Sequence, residues 1–211
     1  MAASVLLVVG KGRKALLDKL VARARALEPG QRIGQVGPVI DAAAAARISS
    51  YVAQCEQCGG RVLLDGRAWQ ASQSAGAWIG PTVLLHQTSQ EPAMQEEIFG
   101  PVLSVLEVDS LDEAVAIENA NPYGNAAAIY TQSGQTALEA ERLSAGMLGI
   151  NIGVPVPREP FSFGGINRSK YGDSADVTGE SAIGFWTERV KITSKWQPAR
   201  KKDTISSSFI S

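Results

Sequence analysis

The sequence predicts an α/β protein whose largely parallel, open sheet carries helices on both faces. Short apolar runs recur along the chain, as in "SVLLVV" at residues 4–9. Segments with apolar residues at helical spacing lie between these runs. Such alternation is typical of right-handed βαβ crossovers, which generate parallel strands covered by helices.

The predicted strands are short apolar runs bounded by glycine, proline or polar residues. They occupy residues 4–9, 61–66, 82–87, 101–108, 126–131 and 147–152. Runs of this kind are typical of strands that are buried on both faces of a sheet.

The predicted helices are recognised by their apolar spacing and by their caps. They occupy residues 14–27, 41–58, 110–117 and 133–145. Asp41 is the expected N-cap of the second helix, and Ser133 opens the fourth. Ser110 forms a capping box with Glu113, three residues further on, at the start of the third.

The pattern changes after the last of these strands. Residues 153–173 carry three prolines and four glycines with few regular apolar repeats, and a loop of this length usually has a functional reason. A helix end and an alternating strand follow, and one face of the strand carries Val190, Ile192, Ser194 and Trp196. Nothing nearby in the sequence pairs with this strand, so we expect it to pair with another subunit or with a segment outside these residues.

These observations divide the chain into three parts. The expected parts are a main α/β part at residues 1–184, the strand region at residues 185–196 and a flexible tail at residues 197–211.

Composition argues against several classes of partner. The chain has 211 residues, of which 45% are hydrophobic and 19% charged, with a net charge of −1. This balance predicts neither a nucleic-acid nor a membrane-surface partner. No apolar stretch approaches the roughly 20 residues that a membrane-spanning helix requires. No secretory signal is recognised, so we expect a cytoplasmic protein, or a mitochondrial-matrix protein in a eukaryote.

The two cysteines, Cys55 and Cys58, raise the question of a redox or zinc site. A structural zinc site takes four ligands, and the lone His86 with two thiols leaves the set one short. The pair also lies at the end of a predicted helix, whereas thiolates are stabilised at helix N-termini. We therefore expect two reduced thiols and no metal site.

Several stretches together resemble the aldehyde dehydrogenase superfamily. "QEEIFGPVLSV" is similar to its E-x-F-G-P signature, and "YGNAAAIYT" to the segment that follows. "GMLGINIGVPVP" with "FSFGG" is similar to its G-x-x-x-x-N and P-F-G-G region, in the right order within residues 1–196. The string "NIGVPVPREPFSFGG" and the terminal "KITSKW" most resemble the methylmalonate-semialdehyde dehydrogenase branch, whose members are described as acylating coenzyme A.

This resemblance implies roles for four residues. Glu97 is the acid whose carboxylate accepts hydrogen bonds from the nicotinamide ribose of NAD, and Phe99 packs beside that ribose. Phe163 matches the aromatic residue that lines the aldehyde tunnel, and Asn151 resembles the strand-end asparagine that supports the active-site loop. On the residues alone, Ile98 and both aromatic residues would be core, and the acids would be solvated.

The resemblance implies no catalytic residue among these residues. The family's nucleophile is a cysteine in G-x-x-C-x-A-x-S, and "MAAS" at residues 1–4 is similar to the x-A-x-S that follows it. Neither cysteine of the chain matches that motif, and the family's N-terminal NAD-binding domain is not represented. We therefore expect the C-terminal catalytic-domain portion of an NAD-dependent methylmalonate- or malonate-semialdehyde dehydrogenase, oligomeric, passing its acyl group to coenzyme A, and inactive alone.

Two other interpretations stay open. One is a non-catalytic, truncated paralogue that associates with full-length relatives through the terminal strand. The other is an unrelated α/β binding module whose motifs match by chance.

Overall fold

The computed structural model describes residues 3–10, 13–72, 75–158, 160–171 and 178–196. Its strands are β1 (Val5–Val9), β2 (Arg61–Leu64), β3 (Thr82–Leu85), β4 (Val102–Val108), β5 (Tyr123–Gly124), β6 (Ala126–Ile129), β7 (Met147–Ile150) and β8 (Ile166–Asn167). Its α-helices are α1 (Arg13–Arg25), α2 (Ala42–Gln57), α3 (Trp69–Ser72), α4 (Pro92–Gln95), α5 (Leu111–Ala120), α6 (Gly134–Leu138) and α7 (Ala182–Trp186). All six strands predicted before residue 153 are confirmed within a few residues.

The main sheet has four strands in the order β1-β4-β3-β2. The central strand β4 pairs in parallel with β1 on one side and with β3 on the other. The edge strand β2 is antiparallel to β3, which the sequence did not predict. The short α3 and loops join these two strands, and antiparallel neighbours need no full crossover helix. The predicted largely parallel sheet is therefore confirmed, with one antiparallel edge.

Helices cover both faces of this sheet, as predicted. Val105 of β4 packs in a buried cluster with Leu17 of α1. Val102, three residues earlier, packs with Ile48 of α2 on the opposite face. Leu106 lies in a third cluster with Ala114 of α5. The alternation of side chains along β4 thus divides the core into two layers.

Two predicted N-caps are present at the start of these covering helices. The Asp41 carboxylate accepts a hydrogen bond from the backbone N–H of Ala44 at 2.7 Å. The Ser110 hydroxyl accepts one from the N–H of Glu113 at 3.1 Å, and the Glu113 carboxylate accepts the N–H of Asp109 at 2.8 Å. The capping box is therefore confirmed, although its acid reaches one residue further back than expected.

The chain leaves the main sheet after α5. Asn121 is extended ahead of Pro122, as the residue before a proline prefers, and the helix ends there. Strand β5 then pairs with β8, and β6 pairs in parallel with β7, as two separate two-stranded sheets. The fourth predicted helix begins after Ser133 as expected, but α6 is short and a 3₁₀ turn over Glu139–Arg142 completes it. The 3₁₀ turn ends at Leu143, whose backbone is extended.

The C-terminal region is only partly regular. Helix α7 confirms the predicted helix end, whereas residues 187–196 form no strand in the described part of the chain. Val190, Ile192 and Trp196 are 75%, 86% and 91% exposed. The pairing expected for this strand, and the division at residues 184 and 196, stay predictions, and the tail lies outside the described residues. No helix among the described residues is long and apolar enough to cross a membrane.

Gly66 allows two segments to approach closely between β2 and β3. A Cβ atom added there would lie 1.9 Å from the carbonyl oxygen of Gly80, a backbone atom that cannot move aside cheaply. We expect Gly66→Ala to lower the free energy of unfolding by about 1–3 kcal/mol through overpacking. Urea unfolding monitored by circular dichroism measures this change.

Gly134→Ala is the matched control for this substitution. Gly134 opens α6, and an added Cβ meets nothing within 4 Å. Alanine there is expected to leave stability unchanged or to raise it by up to about 1 kcal/mol. Equal unfolding midpoints for the two variants would contradict this account of the Gly66 contact.

Candidate functional site

The turn between α4 and β4 places one side chain in the core and the next outside it. Ile98 is 2% exposed and lies in the buried cluster that contains Ile48. Phe99 is 75% exposed and has a φ of 53°, in the left-handed region that residues with large side chains rarely adopt. Gly100 follows, and a Cβ there would lie 2.5 Å from the Ile48 side chain. This strained conformation displays the aromatic ring at the surface, as strained backbone often does at binding sites.

The first acid of this turn is anchored to α2. The Tyr51 hydroxyl donates a hydrogen bond to the Glu96 carboxylate, with an O–O distance of 2.5 Å. The hydrogen bond to Glu96 raises the pKa of Tyr51, burial adds to the rise, and the nearby Arg47 guanidinium opposes it. A short bond from a largely buried phenol to a carboxylate holds the start of the turn in place.

The second acid of the turn has an unpaired carboxylate in the described part of the chain. Glu97 is exposed, and within the described part of the chain its carboxylate has no hydrogen-bond or ion-pair partner. Its neighbours on both sides are held, Glu96 by Tyr51 and Ile98 by the core. The turn therefore presents a free carboxylate beside the exposed Phe99, as the resemblance led us to expect.

Asn151 lies directly after β7 at the carboxyl end of a parallel strand pair. Its φ is 55°, which asparagine tolerates better than most residues. Its side-chain oxygen accepts the backbone N–H of Thr131 at 2.8 Å, and its own N–H donates to the carbonyl of Ile129 at 2.9 Å. Asn151 thus ties together the ends of β6 and β7, at the edge of a parallel sheet where ligands commonly bind.

Phe163 lies in the loop between β7 and β8. The residue is 43% exposed, so it is not the core residue that the bare sequence would suggest. Its backbone N–H donates to the Thr178 hydroxyl at 3.0 Å, and the neighbouring Ser162 hydroxyl accepts the N–H of Ser181 at 3.3 Å. These hydrogen bonds connect the loop to residues 178–181, which precede α7.

Among the described residues, neither hydrogen bonds nor the two depressions connect the four predicted residues. Glu97 and Phe99 share a turn, but no hydrogen bond in the described residues joins that turn to Asn151 or Phe163. Two open surface depressions of about 410 and 470 Å³ are lined by none of the four. The roles implied for these residues therefore stay predictions.

The two cysteines differ in their surroundings. Both are free, Cys55 is buried and Cys58 is exposed. Burial raises the pKa of the Cys55 thiol to about 11, with the nearby Glu91, Cys58 and Glu56 adding to the rise. A buried, protonated thiol is a poor nucleophile.

Two side-chain contacts were not predicted from the sequence. One is the Tyr51–Glu96 bond, whose partners are 45 positions apart. The other joins His86 Nδ1 to a Glu91 carboxylate oxygen at 2.7 Å. Burial works to raise the pKa of Glu91, but hydrogen bonds from His86 and from the N–H groups of Gln87 and Thr88 outweigh it and lower that pKa. The five-residue spacing of the second pair carries no sequence signal of its own.

Comparison with known proteins identifies the chain's relatives. Malonate-semialdehyde dehydrogenase 2 of Geobacillus kaustophilus is 40% identical over 200 residues, which cover 93% of this chain and 41% of that protein. The crystal structure of methylmalonate-semialdehyde dehydrogenase from Oceanimonas doudoroffii matches with a TM-score of 0.86 at 35% identity and the same coverage. An aldehyde dehydrogenase of Bacillus cereus, solved in complex with NAD⁺, matches with a TM-score of 0.75 at 29% identity, over 88% of this chain and 37% of that one.

The chain thus spans 41% of the length of the first two relatives. Both names agree with the semialdehyde dehydrogenase branch to which the string after β7 pointed. The sequence profile of the aldehyde dehydrogenase family matches residues 1–192, a range that contains the motifs on which the resemblance rests except the end of "KITSKW". The chain therefore belongs to the aldehyde dehydrogenase family.

Proposed function

We propose that residues 96–101, between α4 and β4, form the cofactor-facing turn of an NAD-dependent aldehyde dehydrogenase. The observation that carries the proposal is the difference between two adjacent acids. Glu96 is held by Tyr51, whereas the exposed Glu97 carboxylate has no partner in the described part of the chain. A free carboxylate on a rigid turn is positioned to accept hydrogen bonds from a ligand.

The turn fits the nicotinamide ribose of NAD. An ionised carboxylate accepts short, strong hydrogen bonds from the two hydroxyls of a vicinal diol. Phe99 adds an exposed ring at the same turn, and its strained backbone leaves little freedom to fold inward. When bound, NAD supplies the hydride acceptor for aldehyde oxidation. Glu97 orients the cofactor, and Phe99 limits the access of water to it.

A further part of the protein is needed to complete this site. Tyr130, Leu148, Ile150 and Ile152 expose apolar surface around the β6–β7 pair, unlike the four-stranded sheet, which is covered on both faces. Apolar surface of this kind marks contact with other protein. We propose that the nucleophilic thiol and the rest of the NAD site belong to residues that pack there.

The substrate we propose is malonate or methylmalonate semialdehyde. The names of the relatives from Geobacillus kaustophilus and Oceanimonas doudoroffii support this class. The acyl group would be held as a thioester on a cysteine outside these 211 residues and passed to coenzyme A. We place the enzyme in the cytoplasm, or in the mitochondrial matrix of a eukaryote.

The 211 residues alone are expected to show no NAD reduction. Thioester formation needs a thiolate nucleophile, and the buried Cys55 is held as a thiol. The measurement is absorbance of NADH with propanal, malonate semialdehyde or methylmalonate semialdehyde, with and without coenzyme A. Steady turnover that survives replacement of Cys55 and Cys58 by serine would contradict the proposal.

Glu97→Gln is expected to weaken NAD binding more than it weakens folding. The amide keeps the shape of the side chain but is a weaker acceptor, so the Kd for NAD should rise by roughly 5- to 150-fold, or about 1–3 kcal/mol. Calorimetry measures this in a chimera in which the upstream part of the Geobacillus kaustophilus enzyme precedes this chain.

Glu96→Gln is the matched control, one position earlier in the same turn. It weakens the bond from Tyr51, so it should lower the Tm of the chimera and raise the Kd for NAD much less than Glu97→Gln does. If Glu97→Gln instead lowers the Tm and leaves the Kd unchanged, Glu97 is a structural residue.

A second candidate function is that of a non-catalytic chain that binds full-length relatives or a second copy. The exposed apolar side chains of Val190, Ile192 and Trp196 favour it, because an extended segment can add as a strand to another sheet. Association through this segment also agrees with our expectation that the active enzyme is an oligomer.

Deletion of residues 191–196 is expected to abolish association and to leave the main sheet folded. Light scattering after gel filtration measures the mass, and circular dichroism the fold. Serine at Lys191, Thr193 and Lys195, on the opposite face of the segment, is the control that should still associate. A monodisperse monomer at high concentration, with or without the deletion, would overturn this candidate.

A further inference from the structure

Three side chains from separate segments meet beneath the main sheet, away from the cofactor-facing turn. Cys55 lies in the last turns of α2, His86 follows β3 directly, and Glu91 precedes α4. The sulfur, a ring nitrogen and a carboxylate oxygen lie within 4.8 Å of one another. All three residues are buried, with exposed fractions of 2%, 3% and 6%.

Part of this cluster lacks hydrogen-bond partners among the described residues. His86 Nδ1 is paired with the Glu91 carboxylate, but the other ring nitrogen, Nε2, is buried without a partner among the described residues. The Cys55 thiol makes one long contact, 4.0 Å from the carbonyl oxygen of Leu85. Buried polar atoms are nearly always paired, so an imidazole with a spare nitrogen beside a thiol points to a missing ligand.

We propose that Cys55, His86 and Glu91 form a buried site for a divalent zinc-class metal ion. Thiolate sulfur, imidazole nitrogen and carboxylate oxygen are the three ligand types that Zn²⁺ takes in proteins. Ligand atoms 2.0 to 2.3 Å from one ion are roughly 3.5 Å apart, so an ion bound by all three side chains takes the place of the 2.7 Å hydrogen bond between His86 Nδ1 and Glu91. Water fills the fourth position.

Charge also favours this occupant. A divalent ion with one thiolate and one carboxylate has no net charge, so the core need not hold an uncompensated ion. Binding displaces the thiol proton to solvent as the sulfur–metal bond forms, because the ligand is the thiolate. The other oxygen of Glu91 stays bonded to the N–H groups of Gln87 at 2.7 Å and Thr88 at 3.2 Å.

The proposed ion would tie the end of α2 to the loop at residues 86–91. Helix α2 also carries Tyr51, and that loop leads through α4 into the turn with Glu97. The proposed role of the ion is to hold these two segments together. It does not depend on the proposed dehydrogenase function, because none of the three side chains belongs to the turn.

The test uses the purified 211-residue chain, freed of metal by a chelator and titrated with Co²⁺ alone. We expect one equivalent to produce the visible bands of tetrahedral cobalt and a thiolate-to-cobalt charge-transfer band, both removed by Zn²⁺. Cys58→Ser should keep the charge-transfer band, which can then come only from Cys55, because the chain has two cysteines. Glu91→Gln should weaken Co²⁺ binding by roughly 10- to 100-fold or more.

Two results would overturn the proposal. One is loss of the charge-transfer band in Cys58→Ser, which would assign the metal to the exposed thiol. The other is the absence of any thiolate band in the wild-type chain while circular dichroism shows it folded, which would leave His86 Nε2 to a buried water. Both results come from proteins that keep Cys55, one the Cys58→Ser variant and the other the wild-type chain. They therefore do not depend on whether Cys55→Ser folds.

Discussion

Burial of Ile98 beneath α2 is the constraint on which the cofactor-facing turn depends. Ile98 lies in the buried cluster with Ile48, and β4 begins only four residues later. That strand is hydrogen-bonded on both sides, so a shift of one residue would reverse its two buried faces. The turn therefore cannot relax by sliding, and Phe99 is held outward at a positive φ.

One face of α2 contacts both the cofactor-facing turn and the proposed metal ligands. Its buried residues near the C-terminal half are Ile48, Tyr51, Val52 and Cys55, which recur at helical spacing. Successive turns of this face meet Ile98, Glu96 and the His86–Glu91 pair. The helix is itself fixed at its start by the Asp41 cap. A change in how α2 packs would therefore displace the turn and the proposed metal ligands together.

The adjacent acids show how tertiary contacts separate residues that look alike in the sequence. Glu96 meets the Tyr51 hydroxyl because α2 passes beneath it, and that bond uses its carboxylate. Glu97 is exposed, and its carboxylate has no donor partner among the described residues. Hydrogen bonding by the first acid thus keeps the second available, since the backbone between them is held at both ends.

The sequence by itself determined the element order, the parallel core of the sheet and the helix caps. These follow from local patterns: apolar runs, helical spacing, and a Ser or Asp side chain within reach of an N–H three residues on. It also led to the family through the turn that contains Glu97 and Phe99. Only the tertiary structure decided the antiparallel edge strand β2, the separate small sheets and the side-chain contacts of Glu96 and Glu91. These features depend on which segments the packed core brings together. No local pattern in the sequence indicates contacts between segments that are far apart in the chain.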